Sequence, residues 1–147
     1  MKLLIISPGK GHDHTVAEGI EEYQKRLGKR LPVEWMFPSA GAKESEALAI
    51  LKNIKKEDFV VLLDERGKDV STPVFAELLN SHLQSGTKRL VFVIGGAFGV
   101  SDAVRARANS VLRFSSLVFP HMLVRLILAE QLYRAISIID GGKYHHA

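Results

Sequence analysis

Short apolar runs bounded by Gly, Pro and polar clusters alternate along the chain with longer stretches in which apolar residues recur every three or four positions. That alternation predicts βα units arranged around a largely parallel sheet, an α/β fold with helices on both faces. Strands are expected over 2–7, 32–37, 59–63, 89–94 and 111–114. Phe59-Val60-Val61-Leu62-Leu63 and Leu90-Val91-Phe92-Val93-Ile94 show no in-and-out alternation, so both faces of each need covering and these runs belong at the centre of the sheet. Helices are expected over 14–27, ending at Gly28, over 45–55, and from Thr72-Pro73 to a stop at Gly86. A short helix is expected over 101–109, with Ser101 as N-cap and Asp102 at the positive end of the helix dipole.

The last predicted helix, 121–139, is unusual. Leu123, Val124, Leu126, Ile127, Leu128, Leu132, Tyr133, Ala135, Ile136, Ile138 and Ile139 point in nearly every direction around it. One side can rest on the sheet. The other side calls for a second subunit in a two-fold dimer, or for complete burial inside the chain's own core. Its polar residues form two stripes, His121 with Arg125 on one and Glu130, Arg134 and Ser137 on another. Glu130 and Arg134 stand in the favourable order for an ion pair one turn apart. Arg125 has no acid one turn away and is expected to be freer to meet a ligand anion.

At 147 residues and 46% hydrophobic content, the chain has the material for a core, and one domain spanning 1–147 is the economical division. Lys and Arg exceed Asp and Glu by 20 to 16, a net charge of +4. Residues 101–147 hold six of the cations and three of the acids, so +3 of the +4 lies in the C-terminal third. A polyanionic partner suits that bias. No cysteine occurs, which excludes disulfides, thiolate-bound metals and thiol nucleophiles. The opening Lys2 to Ile6 run breaks at Ser7-Pro8-Gly9, too soon for a signal-peptide core, and no membrane-length apolar stretch follows. The expectation is a cytoplasmic protein without a membrane partner.

Three loops follow strands at the edge where open α/β sheets hold ligands: Asp64-Glu65-Arg66-Gly67-Lys68-Asp69, Gly95-Gly96-Ala97-Phe98-Gly99, and Ser115-Ser116-Leu117-Val118-Phe119-Pro120. They converge if the strands before them are neighbours. The glycine loop is not the dinucleotide spacing, no Gly-Lys pair has a Gly placed for a P-loop, and no Gly-x-Ser-x-Gly elbow exists. His12-Asp13-His14 suggests a metal, but too few further ligands accompany it, and Asp13 reads more simply as an N-cap. No metal is expected. The tail Lys143-Tyr144-His145-His146 interleaves an aromatic ring with cationic or titratable groups, a combination that can stack on a base and touch phosphate.

Val93-Ile94-Gly95-Gly96, Phe114-Ser115, Phe119-Pro120-His121, Leu123-Val124-Arg125, Ala129-Glu130-Gln131-Leu132-Tyr133-Arg134-Ala135 and Tyr144-His145, taken in that order, resemble the RlmH family of SPOUT-class methyltransferases. The likeness covers essentially the whole chain. Members methylate N3 of a pseudouridine in large-subunit ribosomal RNA, using S-adenosylmethionine. The resemblance implies a C-terminal trefoil knot, a cofactor held within it and a homodimer that completes each active site. With no separate RNA-binding domain and only +4 per subunit, naked RNA is expected to bind weakly and the assembled ribosome to present the substrate. The resemblance also implies Leu63, Gly96, Ser115, Ser116, Leu117, Val118, Phe119 and Pro120 as cofactor-binding residues. His121, Arg125, Glu130, Arg134, Tyr144 and His145 are implied as the catalytic and RNA-holding groups, with Arg125 or Arg134 stabilising charge, Tyr144 on the target base and His145 handling a proton or a phosphate. Where members commonly carry an acidic residue after the Tyr-His pair, this sequence has His146-Ala147. A related enzyme acting on transfer RNA, or a dimeric RNA-binding module without cofactor, would share parts of the pattern.

Overall fold

The computed structural model describes residues 1–96 and 98–146; Ala97 of the glycine loop and Ala147 lie outside them. The elements run β1 (Lys2–Ile6), α1 (His14–Leu27), β2 (Val33–Met36), α2 (Lys43–Leu51), β3 (Phe59–Asp69), α3 (Thr72–Ser85), β4 (Arg89–Ile94), α4 (Asp102–Arg107), β5 (Ser110–Arg113) and α5 (His121–Ile139). All five strands are parallel, in the order β2-β1-β4-β3-β5. The two apolar runs without alternation therefore lie side by side in the interior, each sandwiched between helix layers. Leu3, Ile5, Val61, Leu63, Phe92 and Ile94 face α1, α3 and α5, meeting Leu27, Phe75, Leu79, Leu128 and Leu132. Leu4, Ile6, Val60, Leu62, Val91 and Val93 face Ala47 and Ile50 of α2 and Val104 of α4.

Caps fix where the helices begin. Asp13 accepts from the backbone N–H of Thr15 at 3.3 Å, and Ser101 accepts from that of Val104 at 3.3 Å. The cap of α3 is Ser71, one residue before the Thr-Pro pair, which leaves the Thr72 hydroxyl free to donate to Gln131 Oε1 of α5 at 2.8 Å. Gly86 closes α3 in the left-handed region, φ 76°. The second helix starts earlier than the polar pattern suggests and stops at Leu51, because residues 52–54 turn away through bonds to Leu48, Ile50 and Leu51.

The main departure from the sequence reading concerns residues 64–69. They are polar enough to pass for a loop, yet β3 runs on to Asp69. Leu63 and Lys68 both pair with Leu112 of β5, so residues 64–67 bulge out of the ladder and the strand resumes. Gly67 makes this possible: a Cβ there would sit 2.6 Å from the Leu112 carbonyl carbon. Only hydrogen lets the returning strand lie so close to its neighbour's backbone.

Helix α5 lies on the sheet between α1 and α3, burying Leu128, Ala129, Leu132, Ala135 and Ile136. Its approach to α1 depends on Gly19, where a Cβ would fall 2.9 Å from Leu126 Cδ1. Met122, Leu126 and Ile127 stay partly accessible and Leu123 is exposed. The helix is thus neither wholly buried nor covered on its outer side within one chain.

Candidate active site

The three loops expected to converge do so. Neighbouring strands β4, β3 and β5 end at one edge of the sheet, and their loops face one another across a cavity of about 960 Å³. Leu63 and Gly96 line it, as do Ser115, Leu117, Val118, Phe119 and Pro120; Ser116 belongs to the same loop without lining the cavity. Ser115 shapes that loop by accepting from the Leu117 N–H through its Oγ at 2.9 Å. Leu117, Val118 and Phe98 are 68%, 74% and 73% exposed, so the mouth is ringed by apolar side chains with little cover.

The charges around the mouth are sorted by pairing. Asp64 is nearly buried and bound by the Arg105 guanidinium of α4 and, at 2.8 Å, by the Arg66 N–H. Burial alone would raise its pKa, but those donors hold it below the ordinary carboxylate value. Arg113 pairs with Asp69. Arg66 faces outward with its guanidinium 3.8 Å from Asp64, and the exposed Glu65 and Lys43 complete a rim of mixed charge.

His121 stands where the 115–120 loop enters α5 and lines the cavity. Burial, with help from the nearby Arg125 charge, lowers its pKa against an opposing pull from Glu46. Its imidazole is therefore neutral near pH 7 and can accept a proton.

Arg125, one turn on, is placed differently from the sequence expectation. It is fully buried. Its Nε donates to Ser7 Oγ at 2.8 Å and its Nη1 to the Lys10 carbonyl at 3.0 Å, while Nη2 lies 3.4 Å from the carbonyls of Ser7 and Pro8. The guanidinium also covers the Phe37 ring at 4.7 Å. It is not free to meet a ligand anion, because the loop after β1 has taken its donors. The sequence gives no sign of this, since those partners, one hydroxyl and three carbonyls, lie more than 100 positions away.

The remaining expected residues form a second cluster. Arg134 forks onto Glu130, with Nε to Oε1 at 2.9 Å and Nη2 to Oε2 at 2.9 Å. Its Nη1 donates to His145 Nδ1 at 3.2 Å, and its guanidinium lies 4.5 Å over the Tyr144 ring. The Tyr144 hydroxyl donates to Glu130 Oε2 at 3.4 Å and meets the Tyr23 hydroxyl at 3.4 Å. The Tyr23 bond, burial and the Glu130 charge together push the Tyr144 phenol up to about 12, so it stays protonated through the physiological range. None of these residues lines the cavity. Thirteen helical positions from His121 to Arg134 span roughly 20 Å, and within one chain the two halves of the expected site stand apart.

The family model described as predicted SPOUT methyltransferase matches residues 1–145. The chain belongs to the SPOUT methyltransferase family. As a SPOUT methyltransferase it is an enzyme that transfers methyl groups. Relatives named ribosomal RNA large subunit methyltransferase H include that of Geotalea daltonii, 40% identical over 153 residues covering 99% of this chain and 100% of the relative. The protein of that name from Trichlorobacter lovleyi is also 40% identical with the same coverage, and that of Cytophaga hutchinsonii is 38% identical over 155 residues, again 99% and 100%. Among solved structures, a probable methylase family protein from Haemophilus influenzae Rd KW20 superposes with a TM-score of 0.58 at 14% identity, covering 95% of this chain and 66% of that one. That last likeness concerns the fold.

Two residues of this SPOUT methyltransferase escaped the sequence reading. Tyr23 of α1 meets Tyr144, and Glu46 of α2 lies buried behind the glycine turn, accepting from the Gly41 N–H at 2.8 Å. In Lys43-Glu44-Ser45-Glu46 nothing marks the second acid as different from the first. The His12 ring meets Trp35 edge-on at 4.5 Å, His14 is exposed beside Asp13, and no cluster able to hold a metal occurs among the described residues.

Proposed function

We propose that this enzyme methylates N3 of a pseudouridine in large-subunit ribosomal RNA of the assembled ribosome, with S-adenosylmethionine as donor, as a cytoplasmic homodimer of single-domain chains with a C-terminal trefoil knot. The observation that carries the reading is the meeting of Leu63, Gly96 and Leu117 around one cavity of a size that holds a nucleoside-sized ligand. The names of the full-length relatives extend it to ribosomal RNA, and the family resemblance to the pseudouridine.

The cavity suits the donor. Leu63, Ile94, Leu117 and Val118 offer apolar surface for an adenine ring, and Gly96 lets backbone come close to a ribose. When bound, the donor supplies an electrophilic methyl on a sulfonium centre. The chain's own residues must do the rest. An imide N3 is a poor nucleophile while protonated, so a base must remove its proton and cations must stabilise the anion. His121 is neutral and inside the cavity, which makes it the base in this reading. Arg134, oriented by its fork with Glu130, and the protonated Tyr144 hold the target base and its developing charge, and His145 meets phosphate. Because these groups lie roughly 20 Å from His121 along α5, they serve the cavity of a second protomer, whose approach also covers the outer side of α5. Arg125 positions the loop after β1 and does not itself touch substrate.

The test is mass mapping of ribosomal RNA from cells lacking the protein, before and after it is restored. A methyl mark on one large-subunit pseudouridine that disappears and returns is expected. Unchanged marks in every ribosomal RNA would refute the reading.

A further inference from the structure

Glu46 stands apart from the other acids among the described residues. It is 5% exposed, and none of the ion pairs among the described residues includes it. A buried carboxylate without a counter-cation is costly to keep. Its position is specific as well. Oε2 accepts from the Gly41 N–H at 2.8 Å, while Oε1 occupies the place a side chain on Gly96 would take, 2.7 Å from where its Cβ would be. Gly96 is part of the cavity wall, so the missing side chain brings the carboxylate up behind that wall. The Glu46 charge also opposes the lowering of the pKa of the cavity-lining His121 by burial.

One helical turn earlier, Lys43 is the residue that α2 contributes to the cavity lining among the described residues, and it too takes part in no ion pair there. Residues three apart share a helix face. The start of α2 thus offers one cation on the cavity lining and one anion directly behind the Gly96 wall, the charge pattern that complements a zwitterion.

We infer that α2 is the site for the amino-acid end of the donor, the Glu46 carboxylate meeting its α-ammonium group and the Lys43 ammonium meeting its α-carboxylate. The inference rests on the S-adenosylmethionine reading above and adds Glu46 and Lys43 as specificity-determining residues. It also gives the buried charge a purpose: the carboxylate stays unpaired in the free protein because its counter-cation arrives with the ligand.

Calorimetric titration of the full-length protein with S-adenosylmethionine, S-adenosylhomocysteine and 5′-methylthioadenosine tests it, since the third compound lacks the amino-acid end. The wild-type protein should bind the first two more tightly than the third. Glu46→Gln should weaken both by about tenfold or more, the loss of one charge-assisted contact, and leave methylthioadenosine within about twofold. Lys43→Met, at an exposed position, should show the same selectivity with a smaller loss, and it carries the test if Glu46→Gln fails to fold. Equal weakening of all three ligands would overturn the inference in favour of a role in shaping the glycine turn. So would unchanged binding in both variants, or a wild-type protein indifferent to the amino-acid end. A wild-type protein that binds none of the three would instead overturn the donor reading itself.

Discussion

Replacing Arg125 with methionine separates two views of that residue, a ligand contact or a strut. The guanidinium makes two good bonds, to Ser7 Oγ at 2.8 Å and to the Lys10 carbonyl at 3.0 Å, with two longer ones to Ser7 and Pro8 at 3.4 Å and the Phe37 ring beneath it. Bonds to a charged donor contribute about 1.5–3 kcal/mol each, and the ring contact about 1 kcal/mol. Taking about 2 kcal/mol for each short bond, about 1 for the shared long pair and about 1 for the ring gives a gross loss near 6 kcal/mol. Methionine relieves the burial of a charge that has no carboxylate partner among the described residues, which offsets about 2–3 kcal/mol of this. The net expectation is a destabilisation of about 3–4 kcal/mol, or a fall in Tm of about 10 °C for a chain of this size. Urea unfolding followed by the fluorescence of Trp35, the single tryptophan, reads it directly. Trp35 donates to Gln24 Oε1 at 2.9 Å and touches His12 in the loop that Arg125 braces. Titrations at several protein concentrations remove any contribution from association. A loss under about 1 kcal/mol, with donor binding abolished, would refute the strut and restore the ligand role.

Asp58, buried and bidentate to Arg89, has its pKa held below the ordinary value, since the Arg89 bonds and the Lys55 N–H outweigh the opposing effect of burial. The stability it contributes is present above the unfolded carboxylate value and is lost as pH falls through the lowered folded one. Asp58→Asn should therefore cost about 2–4 kcal/mol near pH 7 and almost nothing at the acid end of a denaturation series; a pH-independent cost would refute the assignment. His121→Asn should lower single-turnover methyl transfer by about 10²-fold or more, and the wild-type rate should rise with pH to a plateau through a limb below the free-histidine value of about 6.5; a limb above that value would exclude His121 as the base. Alkaline ultraviolet titration should show a tyrosine step near 12, and Tyr144→Phe should remove it. Gly67→Ala should destabilise by about 3 kcal/mol or more, because the new Cβ meets Leu112 backbone at 2.6 Å; a Tm unchanged from the wild type would mean that β5 can move aside.

Legibility followed the range of the interactions. Helix α5 and strand β4 were readable to their end residues because their signals are local: an apolar run between Lys88 and Gly95 for the strand, and a long apolar stretch opened by Pro120 and closed before Gly141 for the helix. Residues 64–69 misled because their composition is that of a turn, whereas their conformation is set by a neighbouring strand more than 40 positions away and by the missing side chain of Gly67. The three loops around the cavity could be picked out since strand ends and glycines mark where a backbone can approach a ligand, and the individual positions within them followed from the family resemblance. Arg125 was assigned to a ligand anion that it does not meet, and Glu46 was not singled out at all. Neighbours one turn away leave Arg125 looking free and Glu46 looking ordinary, and their partners, the Ser7 hydroxyl and the carbonyls after β1 for one and Gly41 and Gly96 for the other, are assembled only by the tertiary fold.

The separation of His121 from Arg134 along one rigid helix has a genetic consequence. Under the proposed dimer, a chain crippled at Leu117 and a chain crippled at Arg134 would each be inactive alone, while their mixture would regain one intact catalytic centre per mixed pair and leave the other doubly damaged. Co-expression of two dead alleles should then rescue the modification in part, and diluting the purified wild-type enzyme below its association threshold should extinguish turnover without unfolding a single subunit.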